Sequence, residues 1–193
     1  MLIEDGKGTG YKARVDSVNR LHTQAVSESE AIHQVESGDA YNINTGNISF
    51  SAAGTLLYVK NNEDQDLVID AIAVGQGTGT TSDMGEITVI RNPTGGDLIS
   101  DATAVDMNQN RNFGSSKTLT ADVYKGKSAG TITGGDDIVL LYQGTDSRLF
   151  ASLILQVPKG QSIAIKIDPK LSSGSVKAYC AAVCYLKSVT SAD

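Results

Sequence analysis

The chain has 193 residues, a formal net charge of −6, 40% hydrophobic and 20% charged residues, 20 Gly and no Trp. That length buries a core without disulfides or metals, and one domain with an appended arm is the simplest organisation. The acidic balance, with no dense Lys/Arg stripe, argues against nucleic acid as the main partner, and no apolar run reaches the roughly 20 residues that span a bilayer.

In chain order, MLIEDGKGTGYKARV places Glu4 and Asp5 where a signal peptide would carry a basic region, so the chain is expected to stay where it is made or to leave by cell lysis. YKARV (11–15) and RLHTQAV (20–26) predict a hairpin across DSVN. SESEAIHQVESG (27–38) is the one good helix signal, with Ser27 as N-cap, Glu30 at the capping-box position and Gly38 as the stop. Ala31, Ile32 and Val35 form its narrow apolar face. Residues 1–38 therefore read as an N-terminal arm, and residues 39–193 as the folded domain.

From there on the signal is period two. TLTADVYK sets Leu119, Ala121 and Val123 on one face, and RLFASLILQV sets Leu149, Ala151, Leu153, Leu155 and Val157 together. QSIAIKID aligns Ile163, Ile165 and Ile167, and VKAYCAAVCYLK aligns Val176, Ala178, Cys180, Ala182, Cys184 and Leu186. Such alternation marks half-buried strands. ISFS (48–51), LLYVKN (56–61), LVIDAIAV (67–74), EITVIR (86–91) and DIVLLY (137–142) are less regular but rich in β-formers. Turn clusters separate these segments, and no helix-length pattern alternates with them. The expectation is an all-β fold, an antiparallel two-sheet β-sandwich of jelly-roll type, with a short helix in its arm.

Several stretches invite a chemical reading. ADVYKGKSAG (121–130) contains a loosened P-loop, A-x-x-x-x-G-K-S, overlapping a G-x-S-x-G nucleophile elbow at Ser128. Both motifs need a strand, a tight turn and then a helix. AGTITGGDD follows instead, and both histidines, His22 and His33, lie upstream in the arm. A hairpin turn at Lys125-Gly126-Lys127 is the plainer expectation. GQGTGT (75–80) lacks the third glycine and the helix of a dinucleotide loop. NNEDQD gathers Glu63, Asp64 and Asp66 but fails the EF-hand pattern at Leu67 and Ala73, which leaves a solvated turn or a looser cation site. In a strand, Cys180 and Cys184 would have Cα atoms about 13 Å apart, too far for a disulfide, so two buried free thiols are expected. No residue set suggests a catalytic centre, a metal site or a cofactor.

GTGYKARVDSVNRLHTQAVSESEAIHQVESGDAYNINTG, GTLLYVKNNEDQDLVIDAIAVG, NPTGGDLISDA and NRNFGSSKTLTADVYKG follow one another between residues 8 and 126, within a resemblance that extends over nearly all of residues 6–187. In these phrases the chain resembles small virion structural proteins of tailed bacteriophages, in particular capsid decoration (cement) proteins. The resemblance implies a non-enzymatic β-sandwich that sits on the viral particle as a homo-oligomer, a trimer, against the major capsid protein or another virion protein. It implies no catalytic residues. An arm carrying Lys7, Lys12, Arg14 and Arg20 would reach a neighbouring capsomer, or would fold back to cover its own sheet edge. The alternative is a tail- or fibre-associated module that binds a receptor or carbohydrate.

Overall fold

The structure, a computed structural model, describes residues 29–77, 84–100, 103–105, 109–144 and 147–187, and the backbone at Ile3–Glu4, Lys12–Val15, Leu21–His22, Thr80–Thr81 and Asn108. Three short strands come first, β1 (Ile3–Glu4), β2 (Lys12–Val15) and β3 (Leu21–His22), then helix α1 (Glu30–Ser37). The body opens with β4 (Ala40–Asn44), β5 (Ile48–Phe50), β6 (Gly54–Lys60) and β7 (Leu67–Gln76). Next come β8 (Thr80–Thr81), β9 (Gly85–Arg91), the single turn α2 (Asp97–Ser100) and β10 (Thr103–Ala104). β11 (Asn108–Asn110), β12 (Asp122–Lys125) and β13 (Asp136–Gln143) follow. β14 (Ser147–Val157), β15 (Ser162–Asp168), β16 (Leu171–Ser173) and β17 (Val176–Leu186) complete the fold.

Two six-stranded antiparallel sheets make the expected sandwich. Their orders are β10-β12-β6-β15-β9-β13 and β11-β4-β17-β7-β14, with β5 also paired to β17 in the second. Taken in chain order, the eight longest described strands are β4, β6, β7, β9, β13, β14, β15 and β17. The first pairs with the eighth, the second with the seventh, the third with the sixth and the fourth with the fifth. A long two-stranded ribbon folded over on itself has this order. Its closing pair brings Tyr41 opposite Cys184, across most of the chain.

The period-two pattern predicts which side chains fill the sandwich. The three isoleucines of β15 and the six alternating residues of β17 lie in one core cluster with Leu57, Ile69, Ile87 and Val123. β6 departs from simple alternation, being buried on both faces from Gly54 to Val59. On its outer side Tyr58, Ile90 and Ala164 are covered by Leu98 of α2 and by Ile132, and Tyr58 stacks on Tyr124 at 5.8 Å. That second cover is why LLYV is a continuous apolar run.

Helix α1 covers part of the other sheet, where Ala31 and Val35 pack on Ala40, Val68 and Tyr185. Its start differs from the sequence reading. Ser29 is the N-cap, extended at φ −70° and ψ 146°, and its Oγ accepts from Ile32 N. Glu30 is thus the first helical residue, two positions earlier than a capping box requires. Ser27 lies outside the described residues. Ile32 is exposed and Gln34 is buried in its place, because the sheet meets the face through Ala31 and Val35. The stop is as expected: Gly38 sits at φ 77°, and its N–H bonds Gln34 and Val35 carbonyls.

Two further corrections concern strands. β12 is shorter than TLTADVYK suggested, because Thr118–Thr120 lie outside any strand although Leu119 is buried in the core. AYNIN (β4) gives no strand signal, because two asparagines break its apolar pattern, yet it pairs on both sides, with β17 and β11. The N-terminal hairpin is present in the backbone, with Arg14 opposite His22 and Val15 opposite Leu21.

Ile165 is fully buried at the centre of the core. Ile165→Ala is expected to cost about 2–5 kcal/mol, read as a lower urea midpoint with an unchanged m-value.

Candidate functional site

The stretch ADVYKGKSAG carries no helix at its end. β12 runs to Lys125 against β6, Gly126 N donates to Leu56 O, and Ser128 forms an antiparallel bridge with Gly54. The chain therefore keeps following β6 through 125–128, where a hairpin turn had been expected. It bends only afterwards, with Ala129 at φ 56° and Gly130 N bonded to Lys127 O. The glycine of the motif is explained by this close approach: a Cβ on Gly126 would fall 1.5 Å from Thr55 O. Ser128 Oγ accepts from Ser51 N at 2.9 Å and lies 3.3 Å from Ser51 Oγ. These contacts pin two loops together, and among the described residues no His, Asp or Glu side chain hydrogen-bonds to Ser128 Oγ.

The acidic turn after β6 also divides its polar groups among structural partners. Asn61 is fully buried; its amide donates to Gln65 O and Val157 O, and its Oδ1 accepts from Glu63 N. Glu63 accepts from Thr120 N at 2.6 Å, Asp64 pairs with Lys159, and Asp66 accepts from Gln156. The hydrogen bond from Lys159 holds the Asp64 carboxyl below its ordinary range. The three carboxylates thus point to three separate anchors, and no metal-sized group of three or more His, Cys, Asp or Glu exists among the described residues.

GQGTGT continues β7 as far as Gln76, and Gly77 N donates to Lys177 O. Cys180 and Cys184 are free and buried, as expected, and burial pushes both thiols up to about 12. Of the arm cations, Lys7 and Arg20 lie outside the described residues. The backbone of Lys12 pairs opposite Glu4, and that of Arg14 opposite His22. His33 is exposed on α1.

Two features escaped the sequence reading. The first is an open cleft of about 460 Å³ between the end of β14 and the start of β15, lined by Arg91, Asn92, Gln156, Lys159 and Gln161 among others. Asn92, at φ 48°, accepts from Ser162 N and donates to Gln161, so the cleft wall is a fixed amide frame. Its two cations are already paired, Arg91 with Asp136 and Lys159 with Asp64, and no carboxylate, thiol or imidazole is among its lining residues.

The second is the apolar edge of the sandwich. Ile138, Leu140 and Tyr142 of β13 and Phe150 and Ile154 of β14 are 39–69% exposed. On the same two strands Val139, Leu141, Leu149, Leu153 and Leu155 face the core but remain only half-buried. The signal was available: DIVLLY and the centre of RLFASLILQV put apolar groups on both faces, which an ordinary edge strand does not.

No protein-family model matches the chain, and no curated protein matches it. Fold and geometry define an all-β two-sheet sandwich whose motif residues are engaged in holding its own loops.

Gly126→Ala is expected to destabilise the fold by about 3 kcal/mol or more through the clash with Thr55, while Ser128→Ala should cost under about 1 kcal/mol; urea melts of the pair check this. The thiols supply a pH test. Their folded values are raised from 9.0 to about 12. Their burial therefore contributes stability fully present below pH 9 and lost between about pH 9 and pH 12. Over that window stability should fall by about 1.4 kcal/mol per pH unit for each thiol, and the slope should flatten in a Cys180→Ala/Cys184→Ala variant.

Proposed function

We propose that the protein is a non-enzymatic structural protein of a bacteriophage particle, an oligomeric β-sandwich that decorates the capsid and bridges neighbouring capsomers. The observation that carries this reading is the assignment of the polar groups. Ser128, Glu63, Asp64 and Asp66 each bind another segment of the same chain, and the thiols are sealed in the core. A protein whose task is to hold a surface together uses its polar residues in this way. We further read the sandwich as a jelly roll, supported by the first-with-last, second-with-seventh pairing of its eight long strands.

The proposed partner is the major capsid protein or another virion protein, and the proposed location is the virion, assembled in the bacterial cytoplasm. The cations Lys7, Lys12, Arg14 and Arg20 of the arm would meet acidic groups on the neighbouring capsomer. Many equivalent sites on one particle let avidity replace strong single contacts.

The amide-lined cleft favours one second reading, a carbohydrate- or receptor-binding module of a tail appendage. Its amides suit sugar hydroxyls, but its lining residues include no aromatic platform.

Particle counting separates the two readings. Decoration predicts hundreds of copies per head and binding to expanded, filled heads; a few dozen copies confined to the tail would refute it. Because α1 covers Val68 and Tyr185, the arm is best tested by deleting residues 1–28 and keeping the helix. The truncated protein should stay folded and bind heads at least tenfold more weakly, in a salt-sensitive way. Full binding after the deletion would remove the arm from the interface.

A further inference from the structure

The second sheet carries a small open cleft near the end of β7 and the starts of β14 and β17. It holds about 210 Å³, and its lining includes Asn47, Gly75, Arg148, Lys177 and Tyr179. Arg148 pairs opposite Gly75, and Gly75 opposite Tyr179, so the three form one row across β14, β7 and β17. Leu149, Ala178 and Cys180 belong to the core, which turns their strand neighbours Arg148, Lys177 and Tyr179 to the outer face.

Gly75 lets this row close up. A Cβ on it would fall 2.1 Å from Tyr179 Cε1 and 2.4 Å from Cζ, so the tyrosine ring lies across the glycine. A glycine inside a strand marks such a close approach. The charge of the cleft sets it apart from the rest of the chain. Arg91, Lys117, Lys127, Lys159 and Lys170 each have a carboxylate partner. The side chains of Arg148, Lys177 and Asn47 have no ion pair or hydrogen bond among the described residues, and no carboxylate is among the described lining residues. In a protein with 22 acidic and 16 basic residues, two such cations beside one ring suit a negative group.

The surroundings narrow the ligand. Gly77 N is bonded to Lys177 O, and β7 and β17 are interior strands with a partner on each side. Among the described residues the cleft therefore presents no cluster of free backbone N–H groups for a phosphate, and no open edge for an extended peptide. It does present a guanidinium fork that matches a carboxylate, an aromatic ring with an apolar body, and an amide suited to hydroxyls. Its volume is below the roughly 300–1,000 Å³ of sites for drug-sized ligands, so a single ring-sized unit fits. We propose that this cleft binds one carboxylated sugar unit, with the carboxylate on Arg148 and Lys177, the sugar ring against Tyr179 and a hydroxyl on Asn47. The inference goes beyond the particle reading above. It is tested on the purified chain, so the two can fail separately.

The experiment is titration calorimetry of the full chain with glucuronate, run beside glucose, acetate, inorganic phosphate and a short polyglutamate peptide. Glucuronate should saturate one site per chain and bind at least tenfold more tightly than any of the other four. Its affinity should fall several-fold as salt rises from about 0.05 M to about 0.5 M. Arg148→Gln and Tyr179→Leu should each weaken it at least tenfold with unchanged circular dichroism, and Lys177→Gln replaces Tyr179→Leu should that variant melt early. Arg91→Gln, in the larger cleft, should leave binding unchanged. A chain that shows no saturable glucuronate binding overturns the proposal, as does an Arg148→Gln protein that binds normally. Acetate or phosphate bound as tightly as glucuronate would reduce the cleft to a plain anion patch and overturn it too. Preference for polyglutamate would overturn it in favour of an acidic protein partner.

Discussion

Pairing between β4 and β17 is the constraint on which the other features rest. It joins residues 40–44 to residues 181–185, and β17 then serves β7 on its other side and β5 further along. Once the first and last long strands are adjacent, the alternating residues of β17 can only point into the space between the sheets. There they meet the isoleucines of β15. The stabilising term is the burial of these aliphatic groups away from water, and it is available only in the closed arrangement. Such distant pairing loses loop entropy before it gains contacts, which places the fold among slow folders.

The same closure explains the fate of the polar motifs. Two sheets joined by many short connections leave loops that must be tied down, and the ties come from side chains that elsewhere do chemistry. Asn61 holds the ends of β6 and β14 together, and Asn110 donates to Gly38 O and Lys117 O beneath α1. Ser128 binds the loop after β5, and Gly126 is a glycine because a neighbouring strand leaves no room for a Cβ. A motif-like string arises here from backbone crowding, and the chemistry that its letters suggest has no physical support around it.

The edges show a different economy. Natural sheets blunt their edges with charge, proline or bulges. β13 and β14 do carry bulges, but they also display isoleucine, leucine, tyrosine and phenylalanine, and their core-facing residues are only half-covered. The opposite side holds a single aromatic ring on a stiff turn. A surface built this way leaves apolar area that the chain by itself does not bury.

How much of this was legible in the sequence depends on the range of the interaction concerned. Alternation in QSIAIKID and VKAYCAAVCYLK is a local property, so the strands, their inward faces, the buried thiols and the all-β class could all be read from the residues alone. Gly38 as a helix stop is equally local, since the left-handed conformation at φ 77° suits glycine. The helix face and its start could not be read, because Ile32 or Gln34 as the buried residue depends on how α1 meets Val68 and Tyr185. AYNIN became a strand only because β17 and β11 flank it, and Glu63, Asp64 and Asp66 were separated by partners up to 95 residues away. Side-chain alternation by itself determined that this chain builds sheets; which strands meet, and which polar groups and edges are left over, was decided by contacts that exist only after the chain has closed on itself.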